Sequence, residues 1–101
     1  MNIRLLDAAY HLCKQSEFSP YPDRLISRLQ AEFPGIDRPA AEEARARAAS
    51  LISAACEWAE QFRGPNNDGG TTPSIKLPEH CPGFSDGVYA DAEAWGLYLT
   101  K

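Results

Sequence analysis

No stretch of this chain approaches the roughly 18 consecutive apolar residues that a membrane-crossing helix needs. The opening MNIRLLDAAYHLCKQ is interrupted by Asp7 and His11, so it lacks the uninterrupted apolar core of a secretory signal. Cysteine is scarce and odd in number: Cys13, Cys56 and Cys81 stand at irregular spacings. That excludes a framework of paired disulfides and makes the reducing cytoplasm the expected compartment. The glycine-rich and nucleophile signatures are missing as well. There is no G-x-G-x-x-G, no G-x-x-x-x-G-K-[ST] and no G-x-S-x-G. The stretch NNDGG precedes no helix and has no lysine beside it, so it does not cradle phosphate. Thr, Pro and Ser occupy the positions where a calcium loop would continue its oxygen ligands.

Basic charge is also in short supply. Ten Lys and Arg face 14 Asp and Glu in 101 residues, a formal net charge of −4. This is the wrong sign for a nucleic-acid binder, whose face is normally basic. The deficit is concentrated: residues 1–63 carry nine acids and eight bases, whereas residues 64–101 carry five acids against Lys76 and Lys101 alone. The C-terminal third therefore repels phosphate and suits a basic partner. Arginine outnumbers lysine and alanine is abundant, a habit of GC-rich bacterial genomes, so a bacterial or phage-borne origin is expected.

What remains is ordinary globular material, 44% hydrophobic and 24% charged. A chain of this length buries roughly 65% of its unfolded surface, enough for one modest core. The expectation is a single domain over 1–101, made of a three-helix unit (1–63), a loop (64–83) and a C-terminal segment (84–101) that returns to the core.

Leu5, Leu6, Ala9, Leu12 and Cys13 recur at helical spacing within residues 3–16. SEFSPYP breaks that pattern, and Leu25, Ile26, Leu29 and Phe33 start a second one over 22–33. Pro20 and Pro22 suit its first turn, and Pro34-Gly35 ends it. The third pattern is the longest. Asp37 is a good N-cap, Pro39 fits the first turn, and Gly64-Pro65 stops the helix. From Arg38 to Arg63 is 26 residues, a spine whose apolar side runs Ala41, Ala44, Ala48, Leu51, Ala55, Trp58 and Phe62. Ile52, Cys56 and Ala59 widen that side. Its alanine-rich half invites helix 2 to approach closely, and its bulky half is expected to hold Trp58 and Phe62 in the core. Glu43 and Arg47 are placed for an i,i+4 pair.

GPNNDGGTTPS reads as loop throughout. The two prolines after it limit residues 75–88 to extended pieces or one helical turn. Ala92, Trp95 and Leu99 fit a final helix beginning at Asp91, although Gly96, which costs a helix about 1 kcal/mol relative to Ala, keeps a strand open. Ile75, Leu77, Phe84, Trp95 and Leu99 are expected to bring the tail back onto helix 3. The fold class is all-α, a small helical bundle.

Chemistry is hard to assemble from these residues. His11-x-Cys13 and adjacent His80-Cys81 lack the paired spacing of a zinc site, and residues 11 and 13 of a helix project about 200° apart. Cys13 and Cys56 read as small buried hydrophobes. Cys81 with His80 is a candidate nucleophile and base, but Glu79 nearby raises a thiol's pKa rather than lowering it. Glu42/Glu43 and Asp91/Glu93 lie at expected helix starts, where the helix dipole already accounts for acidic residues. No cofactor, metal or catalytic residue is expected.

Two binding readings are left. Helix 2, FPGID and helix 3 resemble the outline of a helix-turn-helix, with Arg38, Arg45 and Arg47 on the second helix. Glu42, Glu43 and Asp37 sit among those arginines and oppose phosphate. The favoured reading is a non-enzymatic accessory protein, an inhibitor or adaptor of a larger assembly, that binds another protein through that partner's basic surface. Its contact candidates are the aromatics Phe18, Tyr21, Phe84, Tyr89 and Tyr98 and the acids Asp86, Asp91 and Glu93. Homodimerisation along the alanine-rich half of helix 3 is a further expectation.

Overall fold

A computed structural model describes residues 2–64 and 71–100 of the chain. Five helices follow in order: α1 (Ile3–Lys14), α2 (Pro22–Glu32), α3 (Arg38–Arg63), α4 (Leu77–His80) and α5 (Asp86–Leu99). Among the described residues there is no strand, so the fold is all-α, and residues 91–99 are helical. By its contacts the chain divides into two compact units, Met1–Ala49 and Ser50–Lys101, with α3 contributing to both. The boundary thus falls inside the long helix rather than at its end.

In the first unit, Asn2 caps α1 by accepting a 2.9 Å hydrogen bond from the Arg4 amide. The helix buries Leu5, Leu6, Ala9, Tyr10 and Leu12. Tyr10 is fully buried and is the largest such side chain, packed edge-on against His11 with the Lys14 ammonium 5.4 Å from its ring centroid. Helix α2 buries Leu25, Ile26 and Leu29 and starts with proline at a position where no intrahelical donor is lost. Asp37 caps α3 as its position implied, its carboxylate accepting from the Ala40 amide at 2.9 Å. Ala41, Ala44 and Ala48 are fully buried. Arg45 in this half of α3 is near enough to Cys13 of α1 for its charge to act on that thiol. The link shown between α2 and α3 is polar, an ion pair at 2.7 Å between Asp23 and Arg38.

In the second unit, α3 ends at Gly64, whose φ of +70° is a conformation natural to glycine and strained for other residues. A side chain there would also meet Thr71 Oγ1. The buried face of this half is Leu51, Ala54, Ala55 and Ala59. It is nearly as alanine-rich as the first half. Trp58 and Phe62, expected inside the core, are only half-buried and stack on each other with centroids 5.2 Å apart.

The final helix starts five residues before Asp91. Ser85 is its N-cap, with Oγ accepting from the Val88 amide at 3.2 Å, and Asp86 follows in the first turn. This is the usual start signal, hidden in the sequence by Gly83 and Gly87 on either side. Its buried residues are Val88, Tyr89, Ala92 and Gly96. Leu77 and Phe84 are buried as expected, Ile75 and Trp95 are half-buried, and Leu99 is exposed and does not anchor the tail. Gly96 faces α3, and a Cβ on it would collide with the Ala55 carbonyl. The glycine that made a helix doubtful from propensity alone is what lets this helix pack.

Candidate protein-binding surface

Residues 71–80 fold back over the end of α3, and three features hold them there. The Thr71 amide donates to the Phe62 carbonyl at 3.0 Å. The Gln61 side-chain oxygen accepts from the Ser74 amide, the Ser74 hydroxyl and the Ile75 amide at 2.8, 3.1 and 3.3 Å. Leu77 is fully buried, and α4 is the single turn that the prolines allow. Residues 65–70 of the expected loop lie outside the described residues.

This arrangement leaves a groove of about 410 Å³ lined by Trp58, Pro73, Ile75, Leu77 and Pro78, with Lys76, Glu79 and Glu93 among its polar residues. Thr72 also lines a neighbouring polar hollow that contains Glu57 and Glu60.

At the far end of α5 the Arg63 guanidinium closes the helix. It donates to the Thr100 carbonyl at 2.9 Å, and also to the Leu97 carbonyl and the Thr100 hydroxyl. A cation is favourable there because the last carbonyls of a helix are unpaired and partly negative. Next to this closure, Trp95 stacks on Tyr98 with centroids 5.2 Å apart. Tyr98 is 58% exposed and Leu99 is 47% exposed. Spacings of three and four residues place all three on one edge of the helix.

The contact candidates fall into different places. Phe84 and Tyr89 are core residues of the second unit. Their rings meet edge to face, and the Tyr89 hydroxyl donates to the Cys81 carbonyl at 2.6 Å and accepts from the Phe84 amide at 3.2 Å. Such burial leaves them little surface for a partner. Asp86 is exposed in the first turn of α5, Asp91 is half-buried in mid-helix, and Glu93 lies in the Trp58 groove. Tyr98 is on the exposed edge just described. In the first unit Phe18 is half-buried, and Tyr21 is 50% exposed with the Arg24 guanidinium 4.6 Å from its ring centroid. Trp58, Glu79 and Leu99 were not singled out as contact residues. Only the fold of 71–80 over α3 reveals the first two.

The other chemistries meet specific obstacles. Burial pushes the Cys81 thiol above its ordinary value, and it does the same to Cys13, partly offset by Arg45, and to Cys56, reinforced by Glu60. A nucleophilic thiol needs the opposite shift. Among the described residues no three His, Cys, Asp or Glu side chains gather as a metal site, and no helix is long and apolar enough to cross a membrane. The arginines of the helix-turn-helix outline face carboxylates: Arg38 pairs with Asp23 and Glu42, and Arg47 approaches Glu43 at 3.9 Å. Arg45 is half-buried. The alanine stripe proposed for dimerisation is covered within the chain itself. Against family models, curated proteins and solved structures alike, the chain matches no family, no protein and no structure.

Proposed function

We propose that the chain acts by binding another protein, as an accessory or regulatory component rather than as an enzyme, and that the second unit carries the contact. The observation behind this reading is the edge of α5, where Tyr98 and Leu99 are exposed beside half-buried Trp95. Scattered exposed apolar residues are normal, but three on one helical edge form a small amphipathic patch. Tyr and Trp are the residues most often found as energetic anchors of interfaces. The short helix end that presents them is fixed by Arg63, so little order has to be gained on binding.

The test is affinity capture of the tagged chain from its native host, run beside a Tyr98→Ser, Leu99→Ser variant. Both changes lie on the surface and leave the core intact. One stoichiometric protein partner on the unmodified chain, lost or strongly depleted on the variant, is the expected result. A partner retained equally by both, or nucleic acid recovered without protein, overturns the reading.

A further inference from the structure

We infer that the Trp58 groove is a second, separate recognition site, and that it takes a short partner segment with a lysine or arginine beside a large apolar side chain. The lining is apolar where a side chain would be inserted: an indole, two prolines, an isoleucine and a leucine. At about 410 Å³ it has room for one or two side chains rather than a helix or a domain face. One wall is rigid before any ligand arrives. Gln61 pins Ser74 and Ile75, and the Glu79 and His80 amides bond back to the Lys76 carbonyl. Pre-formed walls reduce the entropy lost on binding.

Charge decides what the segment carries. Glu79 and Glu93 line the groove, Glu57 and Glu60 line the adjoining hollow, and Lys76 is the basic residue among them. In the first unit Asp23, Glu32, Glu42 and Glu43 are each matched by an arginine. No such ion pair links the two groove carboxylates, or the two of the adjoining hollow, to an arginine or lysine among the described residues. Their field is available to a ligand. A guanidinium or ammonium near an indole face and two carboxylates gains from both kinds of attraction. Phosphate, whether of nucleic acid or of a lipid surface, meets repulsion at the same place.

The experiment is selection of short random peptides displayed on phage against the immobilised full chain, followed by titration of a synthetic winner. Selected peptides are expected to carry Lys or Arg next to a large apolar residue. Affinity should fall about tenfold on a Glu79→Gln, Glu93→Gln variant of unchanged helicity. A peptide with Glu in place of its basic residue should recover binding to a Glu79→Lys, Glu93→Lys variant. Tyr98→Ser should leave the peptide's affinity unchanged, so loss of the α5 edge and loss of the groove are read separately. No enriched peptide, winners without a basic residue, or affinity indifferent to Glu79→Gln, Glu93→Gln would each overturn the inference.

Discussion

Gly96 of α5 lies so close to Ala55 of α3 that a Cβ on the glycine would sit 2.7 Å from the Ala55 carbonyl carbon and 3.2 Å from the Cys56 amide nitrogen. Both of those are backbone atoms, which cannot swing aside as a flexible side chain can. The two helices touch backbone to backbone, and the small residues Ala55, Ala59 and Ala92 are buried alongside. This contact fixes where α5 lies, and with it the position of Glu93 in the groove and of Tyr98 on the edge.

Gly96→Ala should therefore destabilise the protein by about 1–3 kcal/mol through overpacking, even though alanine favours helix by about 1 kcal/mol. Gly87 is the control, because the nearest atom to a Cβ there is Ser85 Oγ at 4.0 Å. Gly87→Ala should be neutral or slightly stabilising. Urea denaturation of both variants checks this pair of outcomes. Equal stability of the two would contradict the close helix contact.

The Tyr89 hydroxyl serves two buried backbone groups at once, the Cys81 carbonyl and the Phe84 amide. Tyr89→Phe removes one oxygen and leaves both without it, at a cost of about 1–3 kcal/mol. The loss should appear as a lower denaturation midpoint with an unchanged slope. Such a result would identify Tyr89 as a core residue that shapes the turn between α4 and α5.

These two residues show what the sequence conceals. The long helix was legible because its punctuation is local: Asp37 and Pro39 open it and Gly64 closes it. The all-α class followed from apolar residues at spacings of three and four. The start of α5 was harder to see, because Ser85-Asp86 stands between glycines and the face from Val88 to Gly96 includes a residue with no side chain. Propensity scores Gly96 as a fault, whereas tertiary contact makes it a requirement. The groove was not legible at all. Its lining joins Trp58 to residues 72–79 and to Glu93, and no spacing rule connects positions so far apart.

Arg63 extends from α3 to the C-terminal carbonyls of α5. Arg63→Met keeps much of the aliphatic stem but removes every donor. The last turn of α5 should then fray, with faster amide exchange at Tyr98, Leu99 and Thr100 and a stability loss of about 1–2 kcal/mol. Amide exchange followed by NMR reads this directly. Unchanged exchange there would show that the guanidinium does not hold the end.

The three thiols give a pH dependence. Each is held above an ordinary value near 9.0, with burial as the main cause. The folded state therefore keeps its thiol protons more tightly than the unfolded chain does. Stability is fully present below about pH 9 and declines as pH rises through the folded-state values. Alkylation by iodoacetamide at pH 8 should be slower at all three cysteines than at free cysteine, and Cys81 should be strongly protected. Fast modification of Cys81 at neutral pH would return the His80-Cys81 pair to consideration as a reactive site.

The second unit is proposed to carry the protein contact. Hydroxyl-radical footprinting of the free chain and of its native complex tests it most directly, because aromatic side chains report their own exposure. The account predicts that oxidation of Tyr98 and Trp95 falls sharply in the complex while that of Tyr21 in the first unit is unchanged. Protection confined to Tyr21 and Phe18, or no protection at any aromatic residue, would contradict it.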